Sequence, residues 1–194
     1  TLPVVAESMS PPLIDGDHLV VLKTTTIERG DLVVLDGEHL LGTPATAYVK
    51  RVVGVPGDRV VCCAQGRLLV NGEPADEPYV SGPTDQVAFD VTVPAERYWV
   101  LGDNRGDSAD SRSALGRPGG GMLRAGDVIG EAVWRYWPTD RLGRVSSEAP
   151  AEALADARVV SRVGDTAREH PSRQRHASSA ATHHAPPHTE EPRP

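Results

Sequence analysis

Lys50 and Ser8 are the two residues of this chain whose types suit joint chemistry. Of twenty basic residues only Lys23 and Lys50 are lysine, and Lys50 stands in the apolar run Ala47-Tyr48-Val49-Lys50-Arg51-Val52-Val53. Arginine stays protonated in proteins, so a site that needs a neutral amine must use lysine. Burial disfavours the charged form and can bring a lysine pKa from about 10.4 into the range of a base near neutrality. The other reading of Lys50, taken alone, is a stem packed on apolar surface with its head in water. A neutral amine needs a proton donor, and Ser8 in Glu7-Ser8-Met9-Ser10-Pro11-Pro12-Leu13 is the best candidate. Its two prolines disfavour a helix and predict an extended, exposed segment, although the same pattern also reads as ordinary loop.

A third element is the polar loop Gly102-Asp103-Asn104-Arg105-Gly106-Asp107-Ser108-Ala109-Asp110-Ser111-Arg112. Its arginines and aspartates suffice for an internal ion-pair scaffold, and loops fixed in that way often hold sites; an ordinary Asx-rich turn is the plainer alternative. A Ser-His-Asp hydrolase would have to use His18 or His39, and neither lies in a supporting motif.

These residues need rigid elements to position them. Leu19–Leu22, Asp31–Leu35, Tyr48–Val55, Arg59–Cys63, Arg67–Val70, Val87–Val93, Tyr98–Leu101 and Val128–Trp137 read as strands rich in Val, Leu, Tyr and Trp. Turn chemistry at Glu28-Arg29-Gly30-Asp31, Pro56-Gly57-Asp58, Ala64-Gln65-Gly66 and Asn71-Gly72 separates them, with a hairpin expected around Ala64-Gln65-Gly66. Strands at this spacing without intervening helices predict an all-β fold, mostly antiparallel, with long loops. The period of two puts Tyr48, Lys50 and Val52 on one strand face, and Val49, Arg51 and Val53 on the other. Tyr48 and Val52 should then shield the lysine from water.

Composition divides the chain. Every aromatic residue precedes Thr139, whereas Arg144 to Pro194 is dominated by a mixture of Ala, Ser, Pro, Glu, Arg and His, with too little apolar area to offset chain entropy. We expect a catalytic domain at residues 1–140 and a disordered, low-complexity tail at 141–194, with some helix around Glu148–Val163. The tail holds His170, His176, His183, His184 and His188 without zinc-like cysteine spacing, so no metal and no cofactor are expected. A net charge of −7 with no basic stripe argues against nucleic acid. Cys62 and Cys63 are adjacent, which predicts two thiols, or partners outside the chain, because neighbouring cysteines bridge poorly. No apolar run is long enough to span a bilayer as a helix, and the chain opens on Thr1 instead of Met.

Ser8 to Leu13, Arg29-Gly30-Asp31-Leu32-Val33-Val34, Tyr48 to Asp58 and Gly102 to Arg112 resemble, in order, the successive boxes of bacterial type I signal peptidases, from about Val5 to Pro138. The resemblance implies the signal-peptidase fold, which self-cleaving SOS-type repressors share. It implies Ser8 as nucleophile, Lys50 as general base, Ser108 as the serine that hydrogen-bonds the lysine amine, and Arg51, Asp110 and Arg112 as a bracing ion-pair group, with Tyr48 beside the lysine. Asp103, Asn104 and Arg105 then read as structural. The implied substrate is the signal peptide of an exported preprotein, cut after small residues of the Ala-X-Ala type and docked as an added strand. The implied setting is a bacterial cell membrane: a monomer on the lipid surface, its catalytic domain on the extracytoplasmic side, its single-pass anchor upstream of Thr1. Two departures are Pro12, where the family usually has Thr, and Ala6, where many members carry a hydroxyl that assists the oxyanion. Ala6 leaves open a weakly active paralogue or an inactive peptide-binding β-domain. A self-cleaving repressor or a pilin-type peptidase would share the Ser-Lys pair but not the long Gly102–Arg112 box.

Overall fold

A computed structural model of the chain describes residues 2–3 and 7–145. Ala6 and the tail beyond Val145, with its five histidines and the expected helix, lie outside the described residues.

The strands are β1 (Leu2–Pro3), β2 (His18–Leu22), β3 (Leu32–Asp36), β4 (Ala47–Gly54), β5 (Arg59–Ala64), β6 (Arg67–Val70), β7 (Glu73–Pro74), β8 (Phe89–Thr92), β9 (Arg97–Leu101), β10 (Leu123–Arg124), β11 (Val128–Trp137) and β12 (Gly143–Arg144). One helix of five residues, α1 (Gly37–Leu41), follows β3; Asp36 caps it by accepting from the Glu38 N–H, and Gly42 ends it in the left-handed region. The eight expected strands are present. Added to them are α1, too short to give a helical period, and the two-residue strands β1, β7, β10 and β12, too short to give alternation.

Two sheets result. The larger runs β1-β2-β11-β3-β4-β9-β10, with β12 also on β11, and the smaller runs β7-β6-β5-β8. Every strand pairing is antiparallel. The expected β5–β6 hairpin turns at Gln65 and Gly66, whose φ of 52° and 77° match the two-residue turn that follows a right-handed twist.

Three apolar clusters set the frame of the site. One packs Val33, Leu35, Val52, Val100 and Leu123 within the large sheet. A second joins the sheets through Val53, Val60, Leu68, Phe89 and the fully buried Trp99. The third packs Met9 and Leu13 on Leu19, Leu32, Val34 and Ala132. Each such side chain contributes about 1.5–3 kcal/mol of burial energy, so Met9 and Leu13 fasten the Ser8 segment to the large sheet.

β4 is paired unequally on its two sides. Against β3 it pairs from Ala47 to Arg51, whereas β9 meets it only at Arg51, Val52 and Gly54. From Ala47 to Lys50 the β9 side of the strand has no ladder partner among the described residues.

The expectation of two thiols is corrected: Cys62 and Cys63 are bonded to each other as a disulfide. Strand alternation would send neighbouring side chains to opposite faces, but the β5–β6 ladder shifts register between Cys62 and Ala64, and the two sulfurs meet.

Candidate active site

The prolines act on the Ser8 segment differently from the extended form expected. Glu7–Met9 is a 3₁₀ turn and Ser8 is half-buried. Pro11 and Pro12 cannot donate, yet the closing bonds need only the N–H of Ser10, to the Glu7 carbonyl at 2.9 Å, and of Leu13, to Met9 at 3.0 Å. Further along, Arg135 donates to the Pro12 carbonyl at 2.9 Å, and Arg141 and Arg135 both reach the buried Asp17 carboxylate. Sequence reasoning missed these three residues; Arg141, read as tail, is joined to the Ser8 segment by contacts more than a hundred residues apart in sequence.

The structure brings Ser8 and Lys50 together: Lys50 Nζ stands 2.6 Å from Ser8 Oγ. Lys50 is 1% exposed, with the Tyr48 ring centroid 5.8 Å from its ammonium and buried Val52 on its other flank. The strand period therefore assigned this face correctly. Burial is the main cause that brings the Lys50 pKa down from 10.5 to about 8, and Arg112 pushes the same way; Asp110, Asp103 and Asp107 limit the fall. Proximity to a hydroxyl and a pKa near neutrality are the two properties a general base requires.

Arg51 points to the other face, as alternation requires, but its partner differs from the expected Asp110 and Arg112. Both its Nε and Nη2 donate to Asp103, at 2.8 and 2.6 Å, while Nη1 donates to the Gly30 carbonyl at 2.8 Å. The guanidinium lies 3.8 Å from the centroid of the Tyr79 ring. Asp110 pairs instead with Arg112, at 2.8 and 3.0 Å, and accepts from the Gly102 N–H at 3.1 Å. Burial alone would raise the Asp110 carboxyl, but Arg112 and the Gly102 N–H outweigh it and hold the group below its ordinary range. Composition supplied the ions; the path of the loop decided the pairs.

A buried pair broken on one side leaves an uncompensated charge. Arg51→Met should therefore lower the unfolding free energy by about 3–5 kcal/mol, and adding Asp103→Leu should recover part of that loss. Chemical denaturation of the two variants checks this; equal stability of Arg51→Met and the parent would contradict it.

Gly102, at the end of β9, is the close-approach residue of the site. A Cβ there would collide with the Ser108 hydroxyl and come within 2.5 Å of the Ser8 carbonyl oxygen. Its N–H is held by Asp110 and its carbonyl by Arg105 Nε at 2.9 Å. Arg105 is itself fully buried and paired with Glu77 at 2.5 Å. Ser108 thus lies across Gly102 from Ser8. Its hydroxyl is buried and near enough to Asp110 to help lower that carboxyl, but among the described residues it forms no hydrogen bond, so the bond to the Lys50 amine that the resemblance implied is not made here.

Neither folded histidine joins the constellation. His39 pairs with Asp127 at 3.0 Å, and His18 lies 3.3 Å from the Tyr136 hydroxyl. Among the described residues no group of three or more His, Cys, Asp or Glu side chains is arranged to hold a metal ion. The arrangement that remains is a hydroxyl, a buried amine and a charge-braced loop packed against the Ser8 turn.

Known proteins are similar to this chain. A Signal peptidase I of Leptolyngbya laminosa is 38% identical over 148 residues, 72% of this chain and 70% of the relative. A Probable signal peptidase I-2 of Synechocystis sp. is 35% identical over 155 residues, 77% of this chain and 68% of the relative. A Signal peptidase I P of Bacillus subtilis subsp. natto is 38% identical over 149 residues, 70% of this chain and 75% of the relative. The family described as signal peptidase, peptidase S26, matches residues 1–137, which include Ser8, Lys50 and the whole Gly102–Arg112 loop, and the chain belongs to that family.

Proposed function

We propose that this chain is a serine endopeptidase that removes N-terminal signal peptides from exported preproteins by a Ser8–Lys50 dyad. The observation that carries the proposal is the 2.6 Å approach of a buried, pKa-lowered Lys50 amine to the Ser8 hydroxyl. Neutral Lys50 takes the Ser8 proton as Oγ attacks the scissile carbonyl carbon. The tetrahedral intermediate collapses, the C–N bond breaks, and the lysine ammonium returns the proton to the leaving amine of the mature chain. Lys50, neutral again, then takes a proton from water, which attacks the Ser8 ester; the C–Oγ bond breaks, the lysine ammonium returns the proton to Ser8 Oγ, and the signal peptide leaves as a carboxylic acid. The Ser8 N–H serves as oxyanion donor. Arg51, Asp103, Asp110 and Arg112 brace the surrounding loops, and Ser108 lies across Gly102 from Ser8.

The substrate docks as an added strand, which suits the unpaired β9 side of Ala47–Lys50 in β4. The catalytic unit runs to Val145, because β12 pairs with β11 and Arg141 holds Asp17, and it acts as a monomer on the extracytoplasmic side of a bacterial cell membrane. Exposed Leu22, Trp134, Trp137 and Leu142 on the β2, β11 and β12 side favour contact with a lipid surface, because indole rings settle at apolar–water boundaries. Among the described residues no helix is long and apolar enough to cross a membrane.

The test is incubation in detergent with a preprotein carrying an Ala-X-Ala site, followed by sequencing of the product N-terminus. Cleavage at that site should fall by about 10⁴-fold or more in Ser8→Ala. Unchanged cleavage by Ser8→Ala would refute the dyad, and peptide binding without cleavage by the parent would favour the inactive β-domain that Ala6 allows.

A further inference from the structure

Ser8 lies in a turn made of only three residues, and such a turn does not hold an attacking hydroxyl still by itself. Three carbonyls of this segment are held from outside. The Asn104 N–H donates to the Ser8 carbonyl at 3.1 Å, and Asn104 Nδ2 donates to the Glu7 carbonyl at 3.3 Å. The Ser81 hydroxyl donates to the Ser10 carbonyl at 2.9 Å. The two donor residues are themselves joined by a parallel bridge.

A hydrogen bond positions its acceptor only if the donor is fixed, and Ser81 is fixed. Its N–H donates to the Asp103 carbonyl at 2.8 Å, and its own carbonyl accepts the Arg105 N–H at 2.8 Å. Asp103 is locked by Arg51, and Arg105 by Glu77, Thr84 and Gly102. Two residues before Ser81, the buried Tyr79 ring lies against the Arg51 guanidinium. Buried ion pairs are thus connected, through a short extended segment, to the backbone on both sides of Ser8.

We propose that Ser81, with Asn104 as its partner, is a positioning residue for Ser8: its hydroxyl anchors the Ser10 end of the turn and so keeps Ser8 Oγ within proton-transfer reach of Lys50. The proposal rests on the reading of Ser8 as nucleophile. It gives a catalytic purpose to a segment between β7 and β8 that lies outside the sequence boxes.

Ser81→Ala removes only the side-chain anchor, since the backbone bonds to Asp103 and Arg105 need no hydroxyl. Misplacement of an attacking group by a fraction of an ångström lowers turnover without changing substrate docking. With the Ala-X-Ala preprotein, Ser81→Ala should lower kcat about tenfold, leave KM within about twofold, and leave the melting temperature close to that of the parent. Ser81→Thr, which keeps the hydroxyl, should restore most of the kcat. An unchanged kcat in Ser81→Ala would overturn the proposal, as would a loss that Thr does not rescue or that appears only in KM. Ser8→Ala run in parallel separates the two ideas: if it still cleaves, the nucleophile assignment is wrong; if it is dead while Ser81→Ala is fully active, only the positioning role fails.

Discussion

Lys50→Arg should fold and not cut. Arginine keeps its proton under all working conditions, so it cannot accept the Ser8 proton, and cleavage should fall by about 10³–10⁴-fold. Lys50→Met should be as inactive but more stable than the parent at pH 7. The physical reason is the amine's burial: its pKa is about 8 in the folded protein against 10.5 for the free group. Holding a lysine that far below its ordinary value costs about 3 kcal/mol. Below pH 8 both folded and unfolded chains carry the proton and that penalty is complete. Between about pH 8 and 10.5 the unfolded chain binds more protons than the folded one, so wild-type stability rises with pH. The advantage of Lys50→Met, measured by urea unfolding at pH 7 and again near pH 10.5, should therefore shrink toward zero. An advantage independent of pH would assign it to packing instead. The same amine governs rate: kcat/KM should rise with pH, reach half its plateau near pH 8 and persist into alkaline solution. A midpoint near 6.5, the ordinary histidine value, would point to His18 or His39.

Gly102→Ala should damage catalysis far more than its single methyl suggests. The added carbon meets the Ser8 carbonyl, which is backbone and cannot turn aside, and the Ser108 hydroxyl together with its own Cβ. Relief requires moving the Ser8 turn, the Ser108 loop, or Gly102 itself against the bonds from Asp110 and Arg105. We expect kcat/KM to fall about 10²-fold, with a stability loss of about 1–3 kcal/mol from overpacking. Gly106→Ala is the control within the same loop, since nothing lies nearer than 3.7 Å to its added carbon. If both variants lose activity alike, the loop's flexibility matters and the contact at Gly102 does not.

The strands were legible because alternation and turn residues are local signals. So was the division of Lys50 from Arg51, which needs only the parity of neighbouring positions on β4. The ion-pair partners were not legible. Three aspartates within one loop are equivalent by composition, and only the folded path puts Asp103 beside Arg51 and leaves Asp110 to Arg112 two residues away. The Ser8 turn was misread because the proline rule was applied to the segment as a whole, when the closing donors are Ser10 and Leu13. Gly102 was visible as a letter of a box but not as a contact, since its role depends on Ser8, ninety-four residues earlier in the chain. Arg135, Arg141 and Ser81 gave no signal, because each acts through a bond to a distant backbone carbonyl that any sequence could supply.

The half-paired edge of β4 has a consequence for selectivity. Backbone groups are common to all polypeptides, so an unpaired run from Ala47 to Lys50 offers the same hydrogen bonds to any extended chain. Discrimination must then come from side chains, and a bound strand turns only every second one toward the surface. Under the proposed docking, a preference for small residues at the first and third positions before the cut is a parity rule: those two turn to the face of β4 that carries Tyr48 and Lys50, and the residue between them turns to the other. The enzyme would read alternate letters of its substrate because of the pleat of a strand, with the intervening letter left free to vary.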